Sequence, residues 1–355
     1  MEYNNILIIK MSSLGDTIHA LPFAAALRHR FPGARISWLV HPQFSAFVPE
    51  APLIDEVLYF DKAAFKKMRW SEKVAYAKKM RRELHSKNFD LVIDLQGLFK
   101  SGALAYLTGC KNKIGYCQMR EGSGLVSKPI VGAHAHDHVI ERYLDVARAL
   151  GADCSRIEYP LPKLDKEVAE VAGLLTGMQG QYVVLAPGAR WETKQWPTEH
   201  FAVLGIMLMA DGYNVVLAGA PGDGPKGVEI EQMVKEKYDG LTATDKKNGG
   251  RLFNLIGKTS IRQLGALIKN SIFYVSADTG PLHIAAALGK PLVAVYGPTK
   301  PDRTGPYGDK DAVILTSPID CAGCLKKHCD HWQCMALVTP KMVYGIFANK
   351  ILEHR

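Results

Sequence analysis

The chain has 355 residues, 22% charged and 47% hydrophobic, an ordinary globular composition whose length predicts two domains able to bury proper cores at roughly 100–200 residues each. Forty-four Lys and Arg against 35 Asp and Glu give a net charge of +9, which favours anionic partners without choosing among nucleic acid, acidic lipid and phosphorylated small molecules. No stretch nears the ~18–20 apolar residues of a membrane span, and the opening MEYNNILIIK, with an acid at position 2, does not read as a signal peptide, so a cytosolic protein is expected. Seven cysteines fit that compartment, where clustered thiols suggest metal more than disulfide.

Taken in chain order, ILIIK (6–10), RISWLV (35–40), LVIDLQ (91–96) and KPIV (128–131) read as strands of a first half. YVVLAPG (182–188), NVVLAGA (214–220), LFNLIG (252–257), IFYVSADTG (272–280), PLVAVYGPT (291–299) and AVILTS (312–317) repeat the pattern in a second. Continuous apolar strands alternating with helices predict parallel sheets covered on both faces. The break is placed near 158–180, giving domains at 1–165 and 175–339. A final helix after Pro340 is free to pack back on the first domain. The fold class is therefore α/β, two doubly wound Rossmann-like domains facing across a cleft, with ligands expected at the carboxyl ends of the strands.

The segment 276–299 is the most informative. A strand ends at Ser276, Asp278-Thr279-Gly280 make a turn, and Pro281 opens a helix where its missing N–H costs nothing. Free N–H groups at that helix start and the Thr279 hydroxyl form an anion site. Asp278 can accept from a ribose hydroxyl or brace the turn; as a bland alternative it is an N-cap. Residues 6–27 repeat strand, small-residue loop and helix with one glycine, Gly15, which speaks against a nicotinamide site. Asp16 stands at that helix start as either a cap or a general base that takes a proton from an attacking hydroxyl. Gly222, Gly224 and Gly227 satisfy G-x-G-x-x-G, but Pro225 interrupts them and no acid follows at the right distance, so they read as a loop.

Together these segments resemble glycosyltransferase family 9, the heptosyltransferases of lipopolysaccharide core synthesis, with the paired-Rossmann GT-B fold. KMSSLGDTIHALP, DLQGLFKSGAL (94–104), HVIERY (138–143), TKQWPTEHF (193–201) and DTGPLHIAAALGKPLVAVYGPT carry the resemblance nearly end to end. DLQGLFKS looks most like the heptosyltransferase I branch. The resemblance implies Asp16 as the base, Lys194 at the sugar-nucleotide diphosphate, and Asp278, Thr279 and Gly280 as the nucleotide-binding turn, with His283 following. It places Lys100, Ser101 and Arg120 on the acceptor side and makes His138 and Arg142 pocket residues. The loop 187–194 varies within the family, so Arg190 carries over less well than Lys194. The implied donor is ADP-heptose and the implied acceptor a lipopolysaccharide precursor, the Kdo-lipid A inner core. With Asp278 read as standing alone and no D-x-D assigned between strands, direct inverting displacement without a metal or other cofactor is expected, positive charge offsetting the leaving diphosphate.

Residues 62–82 hold nine Lys or Arg against Glu72 alone, with Phe65, Trp70 and Tyr76 interleaved. A solvated face is the bland reading. The aromatic residues instead suit peripheral contact with an anionic inner membrane, and the resemblance places acceptor-phosphate and membrane contacts here, at Lys66, Lys67 and Arg69. His134, His136 and His138 alternate before a helix and read as a loop rather than a metal site. Cys321, Cys324, Cys329 and Cys334 form C-x2-C-x4-C-x4-C, whose spacing suits a small structural metal site; free or redox-labile thiols are the alternative. Rival functions are a transferase of another nucleotide sugar, a sugar-nucleotide epimerase of the same architecture, and a non-enzymatic binder of anionic lipid or nucleic acid. Nucleic acid is not an expected partner, since no signature of such binding is present.

Overall fold

A computed structural model describes residues 2–240 and 249–353. The chain divides at Pro162/Lys163 into two units, each built around its own six-stranded sheet.

In the first unit, β1 (Asn5–Ile9), β2 (Arg35–Val40), β3 (Glu56–Tyr59), β4 (Leu91–Asp94), β5 (Lys113–Gly115) and β6 (Lys128–Pro129) lie in the order β3-β2-β1-β4-β5-β6, every pair parallel. Helices α1 (Leu14–His19), α2 (Leu21–Arg30), α3 (Lys62–Lys67), α4 (Trp70–Ser86), α5 (Phe99–Leu107) and α6 (Val139–Ala149) connect them. Leu7, Ile9, Leu39 and Val92 of the sheet pack with Met80 and Leu84 of α4 and Leu104 of α5. Those two are the only buried residues of α4, so the charge run 62–82 is indeed mostly solvated.

In the second unit, β7 (Tyr182–Ala186), β8 (Asn214–Leu217), β9 (Leu252–Asn254), β10 (Phe273–Ala277), β11 (Leu292–Tyr296) and β12 (Ala312–Thr316) take the order β12-β11-β10-β7-β8-β9, again all parallel. Relabelled from its own first strand, this is the same order as in the first sheet. The helices are α7 (Asp165–Leu174), α8 (Thr198–Ala210), α9 (Gly224–Asp239), α10 (Ile261–Asn270), α11 (Gly280–Ala287), α12 (Pro301–Thr304) and α13 (Pro340–Glu353). Their apolar faces meet Val183, Leu185, Val215 and Val293, with Phe201, Leu208, Ile230 and Val234 from α8 and α9. Both strand orders reverse where the first and fourth strands of the unit lie side by side, the topological switch point at which such sheets bind ligands.

Every strand expected from the sequence is present; β3 and β5 were not expected. The division falls at Pro162/Lys163, and α7 goes with the second unit, where it packs on α10. Of the 340–355 segment, residues 340–353 form α13, whose partners are α8 and β11; 354 and 355 lie outside the described residues. Among the described residues no helix is long and apolar enough to cross a membrane.

Candidate active site

The first switch point is set by the chain leaving β1. Lys10 and Met11 end the apolar run, and α1 starts at Leu14 with Ser13 as N-cap. Asp16 Oδ2 accepts from Ser13 N (2.9 Å) and Ser13 Oγ (2.7 Å), a reciprocal capping arrangement. Its other oxygen, Oδ1, lies 3.6 Å from Lys10 Nζ. Asp16 therefore sits at N3, bracing the N-cap Ser13, and is also the partner of a buried ammonium. The loop is pinned from β4: Gln96 Oε1 accepts from both Met11 N and Ser12 N at 3.0 Å, while Asp94 Oδ1 accepts from Gln96 N and Gly97 N at 2.9 Å. Gly97 holds a left-handed φ of 64° with Gln118 O and the Tyr116 ring where a Cβ would stand, so the tight turn needs glycine there.

Burial raises the Asp94 carboxyl above its usual range, against the pull of the Gly97 amide, Ser101, Gln96 and Lys10. Tyr143 is raised by burial well above the ordinary phenol, and Tyr116, also by burial, to about 12. Both phenols stay protonated at neutral pH and can donate as well as accept.

The residues assigned to the acceptor side divide into two kinds. Lys100, at the start of α5, is exposed, and burial together with Lys62 and Lys66 pushes its ammonium down; these lysines form one cluster at the carboxyl ends of β3 and β4. Arg120 is exposed and its N–H donates to Gly97 O. Lys66, Lys67 and Arg69 flank the break between α3 and α4, a surface that also presents Trp70, 80% exposed. Ser101, His138 and Arg142 are buried. Ser101 Oγ donates to Leu98 O and accepts Leu98 N, and His138 Nδ1 caps α6 by accepting from Ile140 N. The Arg142 guanidinium donates to the carbonyls of Asp137 (2.7 Å) and His136 (3.2 Å). His134, in the loop as expected, meets Asp145 at 2.8 Å.

At the second switch point, Lys194 follows β7 and Asp278 follows β10. Lys194 Nζ donates to Asp278 Oδ2 at 2.6 Å, the pair being largely buried. His283 Nε2 stands 3.8 Å from Asp278 Oδ1 and the Tyr296 hydroxyl donates to the same oxygen at 3.4 Å. Burial by itself would raise the Asp278 carboxyl, but Lys194 and then His283 hold it below its usual range. Thr279, not Asp278, is the N-cap of α11, which corrects the bland reading of Asp278. The hydroxyls of Thr279 and Tyr274 are neighbours, buried without a well-aligned hydrogen bond among the described residues.

Lys194 also lies 4.6 Å over the Trp191 ring. The cysteine segment braces this loop: Thr193 Oγ1 donates to Lys326 O at 2.8 Å, and Trp332 Nε1 donates to Thr193 O at 3.1 Å. Cys321, Cys324 and Cys329 are exposed and Cys334 half-buried. Among the described residues no three His, Cys, Asp or Glu side chains are placed to hold a metal; the Cys334 thiol is pushed up by burial and by the nearby Cys321, Cys324 and Cys329. The D-x-D reading also needs correction, since Asp309-Lys310-Asp311 is such a triplet. It precedes β12, at the amino end of the sheet, where Asp309 Oδ1 accepts Asp311 N and Asp311 pairs with Lys350 at 3.0 Å.

Lys10, Gln96, Tyr143, Tyr274 and Tyr296 were not singled out from the sequence. The signal for Lys10 was the lysine ending ILIIK, and for Tyr274 and Tyr296 a hydroxyl inside an otherwise apolar strand; Tyr143 lies on helix α6.

Residues 77–334 match the profile of glycosyltransferase family 9 (heptosyltransferase). Lipopolysaccharide heptosyltransferase 1 of Pseudomonas aeruginosa is 30% identical over 336 residues, 92% of this chain and 87% of the relative. Among solved structures, Escherichia coli ADP-heptose LPS heptosyltransferase II superposes with a TM-score of 0.75 at 25% identity, covering 100% of this chain and 99% of that one. Escherichia coli heptosyltransferase WaaC with ADP-2-deoxy-2-fluoro heptose gives 0.71 at 27% identity, covering 98% and 99%. The paired sheets are the GT-B fold of these neighbours. With a profile match across most of its length and both switch points furnished with polar side chains, the protein belongs to glycosyltransferase family 9 (heptosyltransferase) and is a glycosyltransferase.

Proposed function

We propose that this protein transfers a heptose from ADP-heptose to the Kdo-lipid A inner core of a lipopolysaccharide precursor, by a metal-independent inverting displacement at the cytoplasmic face of the inner membrane. The observation that carries the reading is the pairing of functions at the two switch points: a carboxylate fixed after β1 and a lysine, a helix start and underused hydroxyls after β7 and β10. The names of the relatives and the ADP-sugar bound to one structural neighbour support the donor and acceptor classes.

In the proposed step Asp16 takes the proton of the acceptor hydroxyl while that oxygen forms a bond to the anomeric carbon. The bond from that carbon to the diphosphate oxygen breaks, and the electron pair leaves with the nucleoside diphosphate. A single displacement inverts the anomeric centre. Lys194 and the N–H groups at the start of α11 offset the charge growing on the diphosphate. Lys62, Lys66 and Lys100 suit acceptor phosphates, and Lys67, Arg69 and Trp70 suit an anionic membrane surface.

The test is a melting-temperature screen across ADP-, UDP-, GDP- and CMP-sugars, since a ligand that binds only the folded state raises the midpoint. ADP and ADP-heptose are expected to give the largest shift, unchanged by EDTA. A larger shift with another nucleotide moves the reading to a different donor; loss of the shift in EDTA defeats the metal-free account.

A further inference from the structure

We infer that Lys10 is a positioning residue for glycosyl transfer that acts through Asp16; the inference rests on the reading of Asp16 as the base. Lys10 is 2% exposed, and a lysine is almost never so buried unless paired. Its Nζ donates to Tyr143 Oη at 2.7 Å and to Leu95 O at 3.1 Å, which uses two of its three N–H groups. The third is left for Asp16 Oδ1, 3.6 Å away. The ammonium also sits 5.0 Å from the centre of the Tyr143 ring.

A lysine kept only to neutralise the interior would pair with Asp94, which is fully buried and close enough to feel its charge. Asp94 instead spends one oxygen on the Gln96 and Gly97 amides. The ion pair within 4 Å is with Asp16, whose side chain is 41% exposed. The buried charge is thus directed at the one carboxylate of the pair that a substrate can reach. Ser13 holds Oδ2 and fixes the orientation of the carboxylate; Lys10 faces Oδ1 and favours the anion that must exist before a proton is accepted. Leu95 O and Tyr143 keep the ammonium in place once Asp16 has become neutral. Other titratable or charged groups around this pair include Tyr116 and Tyr143, with Arg120 beside the former and Arg142 and Cys117 beside the latter.

The test compares wild type, Lys10→Met, Tyr143→Phe, Asp16→Asn and the Lys10→Met/Asp16→Asn double variant in single-turnover transfer at saturating substrates over a range of pH. Lys10→Met is expected to move the acidic limb of the profile about one to two pH units upward, so that transfer slows about ten- to a hundredfold on that limb and the loss shrinks toward neutrality. Donor binding, read as the melting-temperature shift with ADP, stays as in wild type. The double variant is no slower than Asp16→Asn, because Lys10 has nothing left to act through. Tyr143→Phe moves the acidic limb in the same direction by a smaller amount. A Lys10→Met loss that is equal at every pH, or that multiplies with Asp16→Asn, overturns the inference and leaves Lys10 a structural residue. If Lys10→Met does not melt cooperatively, Tyr143→Phe decides, and an unmoved acidic limb overturns it. Wild-type rates in Asp16→Asn defeat the base reading itself, an outcome separate from a failure of Lys10 alone.

Discussion

The Lys194 ammonium lies 2.6 Å from the Asp278 carboxylate, so the cation assigned to the donor diphosphate is already neutralised by the protein. Binding a diphosphate there must loosen this pair or share it.

Lys194→Ala is expected to weaken ADP by about 10- to 100-fold, the loss of a charge-assisted hydrogen bond worth on the order of 1.5–3 kcal/mol. Adenosine, without the diphosphate, should lose much less. The variant also leaves Asp278 largely buried without its cation and should melt lower, whereas Lys194→Ala/Asp278→Asn should recover part of the midpoint. Calorimetry with both ligands checks this; equal losses would place Lys194 away from the diphosphate.

The same pair sets a dependence on pH. Because the folded-state pKa of Asp278 lies below its ordinary 3.8, the pair stabilises the fold fully above that value and the contribution is lost as pH falls through the folded value. Asp278→Asn should therefore narrow its deficit against wild type as pH drops from about 5 to about 2. Melting curves across that window that run parallel would remove the pair from the acid response.

Reversing Lys66, Lys67 and Arg69 to Glu should reduce association with anionic vesicles, each lost charge near the surface being worth about 1 kcal/mol. KM for a lipid acceptor should rise while ADP binding stays unchanged. Co-sedimentation with vesicles checks this, and unchanged binding returns α3 and the start of α4 to an ordinary solvated surface.

Asp16→Asn separates cap from base. Asparagine caps a helix as well as aspartate and its carbonyl can still accept from Ser13 N, so the fold and donor affinity should be kept. A general base that cannot accept the proton should lower kcat by about 10²–10⁴-fold. The single-turnover rate at saturating donor is the measurement; transfer within about threefold of wild type would leave Asp16 as a cap only.

Most strands were legible because they are buried on both faces and read as unbroken apolar runs. β3 escaped because it sits at the edge of its sheet, with Tyr59 exposed and Glu56 paired to Arg35 and Lys87. β5 escaped because it has only three residues. Asp16 and Asp278 could be singled out because each follows a strand and begins a loop or helix, whereas Lys194 came only from the resemblance. Gln96 and Tyr143 could not, since their partners are 84 to 133 positions away and no local spacing encodes such a contact; Lys10 is close in sequence to Asp16, but the groups that hold its ammonium are as remote. Ser101, His138 and Arg142 came from the resemblance, and the structure gives each at least one hydrogen bond to a nearby backbone group.

The attachment of α7 to α10 has a practical side. Glu167 meets Arg262 at 2.6 Å, Arg262 also donates to Lys163 O, and Gln263 reaches Glu170 at 2.9 Å. A second domain excised from residue 175 onward would lose all three contacts and bare the side of α10 that α7 covers, an invitation to self-association. A cut at 163 keeps the module whole, and that is where a fragment of the second unit should begin.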